Sequence, residues 1–375
     1  MEKYLLFSAS LAPGFVDSHM HLDKGLTMTK KPFVSVDEAI RDYIDYCSRI
    51  PTCDLKEDIK NRARKVARLA VLAGTTTLRT HANITQSAGT IGIEALNELK
   101  RELREYVDIK ITCLPNFYDG MHAQRKRLLQ VEQVCEDGLV DAVGGANHHH
   151  ENCAELTEKL FGIGVKYNLD VDLHVDESDE PDVRNFEQIA DLAMQLGYEG
   201  RVSCSHVTAL SVVDDKTAAR LIAKAQKAKL HIITLPSCNM YLMGRKGRHP
   251  MHRGVTRIRE FLDAGVNISY ASDNIRGPAR PVGNADMLEE GLLTAQVTQM
   301  ISTKELEIVF DMGTKNPAKA LGLKEYGLDI GKRADFVLFD TKSIAEAMIG
   351  QVTRTHVFKN GKLVAHTCKE NRIVF

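Results

Sequence analysis

Residues 13–24 read Pro-Gly-Phe-Val-Asp-Ser-His-Met-His-Leu-Asp-Lys, PGFVDSHMHLDK. Pro13-Gly14 is a turn signal, and Phe15 and Val16 are apolar and β-prone, so a strand opens here. His19 and His21 follow, one apolar residue apart. In a strand, side chains at i and i+2 share a face. Two imidazoles on one face can grip a single metal ion. Asp17 before the pair and Asp23 and Lys24 after it crowd ionisable groups where the strand would leave the core. Alone, the pair reads equally as two ordinary polar residues at a strand end. The remaining chain must supply further ligands.

Outward from this stretch the pattern becomes regular. Runs of β-prone residues fall at 75–82, 108–114, 140–146, 169–175, 201–207, 230–235 and 266–271. Helical patterns separate and follow them, around 93–106, 122–136, 151–167, 185–196, 215–228, 255–264 and 285–301. With the opening strand this makes eight β/α units. Such alternation implies parallel strands with right-handed crossovers, and eight units predict an α/β fold closed as a (β/α)8 TIM barrel over 13–322. Two helices precede the second strand. Ser35 with Glu38 forms a capping-box pattern for the first, over 35–47. The second spans 55–73, with Lys60, Arg62, Arg64 and Lys65 read as a solvated basic face. Beyond the barrel, 304–321 is helical with an interruption near Gly313. Strands then follow at 334–339, 354–358 and 362–365, the last two joined by an Asn360-Gly361 turn. They are expected to pair with residues 1–12, where Tyr4–Phe7 is β-like. The two chain ends, 1–12 and 323–375, thus predict a small β-sandwich-like subdomain.

Composition narrows the function. The 375-residue chain carries a formal net charge of -1 with 26% charged residues, which gives no electrostatic basis for binding nucleic acid or an anionic membrane. No apolar run approaches the ~18–20 residues of a spanning helix, and the N-terminus lacks a signal-peptide pattern. Eight cysteines without a CxxC pair read as reduced thiols of a cytoplasmic protein. The expected partner is a small molecule, and the sequence leaves a homo-oligomer open.

In a parallel barrel, functional side chains sit at the C-terminal strand ends. Strand five ends Asp172-Leu173-His174-Val175-Asp176-Glu177, strand six Ser203-Cys204-Ser205-His206, and strand eight Ala271-Ser272-Asp273-Asn274. A lone histidine at such an end is commonly a hydrogen-bonded structural residue. Three ends agreeing with His19 and His21 point to a metal site. Imidazole and carboxylate suit Zn²⁺ first, with Fe²⁺ or Mn²⁺ also accommodated.

PGFVDSHMHLDK, DLHVDESDE, CSHVTAL and ASDN resemble the metal motifs of the amidohydrolase superfamily. RTHANI (79–84), HRGVTRIREFLDAGVN (252–267) and GNADML (283–288) are similar to segments of its cytosine deaminase branch, and HLDK to the related N-isopropylammelide amidohydrolases. The resemblance implies one divalent ion held by His19, His21, His174 and Asp273. The residues Leu114-Pro115-Asn116 and Gly144-Gly145-Ala146 carry no Lys or Glu to bridge a second ion. The implied reaction is hydrolytic removal of an amino or alkylamino group from an N-heterocycle. Hydroxide, formed where the metal lowers the pKa of water toward ~7, attacks the ring carbon. Asp273 accepts its proton, and Glu177 carries a proton to the ring nitrogen. His206 either ligates the metal or hydrogen-bonds the hydroxide.

Substrate contacts fall to Asn116, Lys24, His148 and Asn274. Asn116 stands where cytosine deaminase has a Gln, and Asn274 where it has a second Asp. The small, basic Gly277-Pro278-Ala279-Arg280 replaces a bulky aromatic. An amide offers two donors where a carboxylate only accepts, so cytosine is expected to be a poor substrate. Lys24 reads otherwise as an ion-pair partner of Asp23 or another loop acid. Three consecutive histidines, His148 to His150, cannot all converge on one ion. Two alternatives remain: a cyclic amidase opening a ring C–N bond, and a non-catalytic binding protein on a hydrolase fold.

Overall fold

The computed structural model describes residues 10–28, 35–117, 121–245, 251–370 and 372–374. Among the described residues, twelve strands fall into two sheets: β1 (Ser10–Pro13), β2 (Phe15–Met20), β3 (Thr75–Ile84), β4 (Asp108–Pro115), β5 (Ala142–Ala146), β6 (Asp170–Val175), β7 (Val202–His206), β8 (His231–Thr234), β9 (Asn267–Tyr270), β10 (Phe336–Phe339), β11 (Arg354–Lys359) and β12 (Lys362–His366).

β2 to β9 form one parallel sheet in sequential order. Its first and last strands meet at a parallel bridge between Met20 and Asp273, where the Asp273 amide donates to the His19 carbonyl at 2.9 Å. The (β/α)8 barrel expected from the alternating pattern is therefore present. The residue that closes it is itself a candidate ligand. β2 and β3 are buried along their whole length, as expected of strands covered on both faces. The connecting helices cover the barrel; Thr52–Leu72 and Arg184–Gln195, for example, each bury one apolar stripe.

The chain ends meet in a four-stranded antiparallel sheet, ordered β1-β10-β11-β12. Ser10 to Pro13 pairs with Phe339 to Phe336, as the pairing of the two ends required. The layer facing this sheet is the barrel floor instead of a second sheet: Phe339 packs on Phe15 and Phe310, at ring centroid distances of 6.3 and 6.2 Å. The run Tyr4–Phe7 lies outside the described residues.

Ser35 caps the helix Val36–Ser48, its hydroxyl accepting from the Glu38 amide at 3.2 Å. Arg62 departs from expectation. It is buried, and its Nη1 donates to the carbonyls of Asp23 and Gly25 at 2.7 and 2.8 Å while Nη2 pairs with Asp58. The loop after β2 passes over this helix, and its Asp23 and Gly25 carbonyls accept from the guanidinium. Two short helices, Pro236–Leu242 and Ile344–Gly350, lie outside the expected elements, although Pro236 opens the first and Ser343 caps the second by accepting from the Glu346 amide at 3.2 Å. Among the described residues no helix is long and apolar enough to cross a membrane.

Candidate active site

The centre lies at the C-terminal mouth of the barrel, where β2, β6, β7 and β9 end. His19 sits on β2, and His21 lies just past its end. His174 comes from β6, His206 ends β7, and Asp273 follows β9. All five are buried. Asp273 Oδ1 lies 3.3 Å from His21 Nε2 and 3.7 Å from His19 Nε2, and His21 Nε2 faces His174 Nε2 at 3.3 Å. Ligand atoms of His19, His174 and His206 also lie within 4.8 Å of one another.

Backbone strain aims these groups. His206, Val207 and Asp273 adopt φ of +69°, +51° and +59°, and Asp176 +44°. Non-glycine residues reach this region at a cost of roughly 1–3 kcal/mol each. Here the strand ends turn sharply out of the barrel and swing ligand side chains across its mouth.

The donor set fits a divalent cation. Burial first, then the neighbouring imidazoles, holds His19 and His174 well below the usual histidine range. Burial and the Lys24 charge bring His21 down to about 4 despite Asp273. Neutral imidazoles with lone pairs turned on one another are the protonation state a metal needs. His19 Nε2 and Asp273 Oδ2 are buried without protein partners. His19 Nδ1 meets Ser205 Oγ at 2.8 Å, an outer contact of the kind that orients a ligating imidazole. Burial would raise Asp273, but the His21 hydrogen bond and the His21 and His206 imidazoles, charged at the low pH where this carboxyl would titrate, outweigh it and hold the carboxyl far below its usual range.

Glu177 behaves oppositely. Burial, reinforced by Asp273 and opposed by Lys24, pushes it well above the usual carboxyl range. It lines the pocket together with His21, His174, His206 and Asp273. Two carboxyls with pKa values driven apart across one centre are the arrangement that separates acid from base.

The pocket wall also includes Lys24, Asn116 and Asn274. Asp23 is not an ion-pair partner for Lys24. Its carboxylate is taken by the Lys24 backbone amide, the Asn83 amide and side chain, and the Tyr43 hydroxyl. Asn274 corrects the expectation of amide hydrogens facing substrate. Its Nδ2 donates to Asp273 Oδ1 at 2.7 Å, which leaves Oδ1 buried and unpartnered. The neighbouring carboxylate attracts the amide hydrogens, so Asn274 keeps an acceptor where a second Asp would have one. Pro278 and Ala279 line the pocket, but Arg280 turns away to the Ser272 carbonyl and Glu290, each at 3.0 Å. Of the histidine run, His149 and His150 line the pocket; His148 lies behind, its Nδ1 3.2 Å from the His174 carbonyl. Ligand atoms of His148, His149 and Glu177 lie within 4.8 Å of one another.

Several supporting residues escaped the sequence reading. His81 stacks on His19 at 4.0 Å between ring centroids and meets Asp172 at 2.9 Å, where Arg79 also arrives at 2.9 Å. Arg79, His81 and Asn83 alternate along β3 inside RTHANI, and this period of two was the available signal. Asn239, on Pro236–Leu242, carried none.

An eight-stranded α/β barrel with a convergent, deprotonated His/Asp centre at its C-terminal mouth defines a hydrolase scaffold of metal-dependent type. The Amidohydrolase family model matches residues 101–375, and the chain belongs to that family, as a hydrolase acting on C–N bonds. It is 28% identical to N-isopropylammelide isopropyl amidohydrolase of Pseudomonas sp. (strain ADP), over 94% of this chain and 85% of that protein. It is 29% identical to pterin deaminase of Rhizobium rhizogenes, over 96% and 82%. The crystal structure of 5-methylcytosine deaminase from Klebsiella pneumoniae with 5-fluorocytosine matches with a TM-score of 0.90 at 27% identity, over 97% of this chain and 88% of that one.

Proposed function

We propose that the protein hydrolyses an amino or alkylamino group from an N-heterocycle. Glu177 is the proton-transferring acid, and His19, His21, His174 and Asp273 hold one divalent ion, Zn²⁺ by its donor chemistry. In this reading residues 13–322 form the catalytic barrel, and the chain ends make the small unit beneath it. The observation that carries it is geometric: His19, His21, His174 and Asp273 converge at the barrel mouth, and Glu177 lines the same pocket as a second carboxyl, pushed up by burial where Asp273 is held low. A bound ion of this kind supplies Lewis acidity and lowers the pKa of water. Asp273 then accepts the proton released from water. Glu177 delivers a proton to the ring nitrogen beside the attacked carbon, Asp273 passes the proton it took from water to the departing amine, and Glu177 regains its proton from the adduct hydroxyl as the carbonyl forms. His206 faces the same centre. Lys24 offers an ammonium and Asn274 a carbonyl acceptor to the ring edge, and Asn116 lines the same pocket. The relatives named above, acting on an ammelide, a pterin and a cytosine, support the heterocycle class.

The test is an ammonia- and amine-release screen over aminopyrimidines, aminotriazines and pterins with metal-loaded protein, run beside Glu177→Gln. The amide keeps the shape and cannot transfer the proton, so turnover should fall at least ~10²-fold with metal content unchanged. Near-parental kcat in the variant would reject the role of Glu177. A ring-opened acid as product would reject deamination.

A further inference from the structure

We propose that Asn239 is a positioning residue that fixes the tautomer of His206, holding the proton on Nε2. This rests on the metal-centre reading above. Asn239 sits on the short helix Pro236–Leu242 directly after β8 and is 1% exposed. Its Nδ2 lies 3.0 Å from His206 Nδ1 and 3.4 Å from Glu177 Oε1, and those two atoms are 3.2 Å apart. A primary amide has two hydrogens, so one nitrogen can serve both acceptors.

A His206 Nδ1 that accepts from Asn239 carries no hydrogen. The neutral ring must then carry its proton on Nε2. The reverse tautomer would turn N–H against N–H at 3.0 Å. Flipping the Asn239 amide would relieve that contact but carry its NH2 to the Oδ1 position, which is buried without a protein partner, and leave two donors unsatisfied. His206 Nε2 itself is buried without a protein partner, and its ligand atom lies within 4.8 Å of those of His19 and His174. An Nε2–H there is a donor aimed at the centre, with no lone pair left for the metal. Asn239 thereby decides that His206 donates a hydrogen bond to the reacting oxygen and is not a fifth ligand. The same amide keeps the Glu177 carboxyl in register with that donor.

The experiment is long-range ¹H–¹⁵N correlation NMR on Zn²⁺-loaded protein labelled with ¹⁵N-histidine. His206 is assigned by the signal lost in His206→Gln. The parent should show Nε2 protonated and Nδ1 bare. Asn239→Asp puts an acceptor in the same place and should move the proton to Nδ1, with kcat lowered ~10–100-fold, the usual cost of losing an outer partner at a metal site. A parent spectrum with Nδ1 protonated, or with Nε2 at a zinc-coordinated shift, overturns the proposal, as does a folded Asn239→Asp variant with an unchanged tautomer. Should that variant fail to fold, the parent spectrum alone decides. Absence of turnover on every heterocycle would reject the functional reading while leaving the tautomer measurement intact.

Discussion

At His19 the two ring nitrogens have separate tasks: Nδ1 faces Ser205 Oγ at 2.8 Å, while Nε2 faces Asp273. That division makes metal binding sensitive to single atoms. His19→Ala or His174→Ala should bring metal content, measured by elemental analysis, well below the parent's; unchanged occupancy in both would remove the proposed ligand set. Asn116 sets a second expectation. Its side chain is one methylene shorter than the Gln of cytosine-specific relatives, so it reaches less far toward a ring of pyrimidine size. Cytosine should therefore show a lower kcat/KM than the best triazine or pterin in the screen, and Asn116→Gln should narrow that gap. A parent that handles cytosine best would refute the argument, and the metal site would stand. Asn274 shows the limit of reading side chains one at a time. Its type predicted donors toward substrate, but the charge of Asp273 beside it reverses the amide.

Elements bring these residues together through backbone approach as much as through side chains. On β5, a Cβ at Gly144 would sit 2.5 Å from the Cys113 carbonyl oxygen and 2.9 Å from that of Asp172, on the two flanking strands. Neither backbone can yield inside a parallel ladder. Gly144→Ala should accordingly cost about 1–3 kcal/mol, as overpacked cores do, read as a lower denaturation midpoint. Outside the barrel, helix Arg184–Gln195 is tied to Asp215–Lys227 by Glu187, which accepts from Arg220 and Lys224. Those hydrogen bonds hold Glu187 down at about 2. A carboxyl depressed in the folded state stabilises fully above its unfolded pKa, near 4.5, and that contribution is lost as pH falls toward 2. In thermal melts over this window Glu187→Gln should lose less stability than the parent; parallel curves would show that the pair is screened out by solvent.

Across the whole molecule, the barrel and the small sheet are joined by a charge cluster in which Lys359 and Asp335 are buried and Arg333 and Asp108 are partly exposed. Lys359 on β11, fully buried, reaches Asp108 at the start of β4 at 2.7 Å and Asp335 at 2.6 Å, and Arg333 bridges the same two carboxylates. Removing the lysine leaves a buried carboxylate under-compensated, a change that costs up to about 3–5 kcal/mol when no other cation remains. With Arg333 still present, Lys359→Met should lower Tm by a smaller amount and leave metal content intact. Loss of metal in that variant would mean that the small sheet also shapes the barrel mouth.

Eight alternating units, the His19-Met20-His21 pair and the His or Asp closing β6, β7 and β9 were legible because they depend on local periodicity and on residue type at strand ends. Periods of two and 3.6 are written along the chain, so barrel and ligand candidates follow from it. Only the tertiary structure decided which groups support them. Arg62 reads as a surface base until the β2 loop crosses it, and His81 becomes part of the centre only when β3 lies beside β2. Asn239 meets His206 and Glu177 from a helix that periodicity does not announce. These contacts join residues tens of positions apart, and their geometry comes from barrel closure and from strained turns at His206 and Asp273. Local sequence encodes the elements, whereas the orientation of a buried amide or imidazole is set by the charges that closure brings next to it.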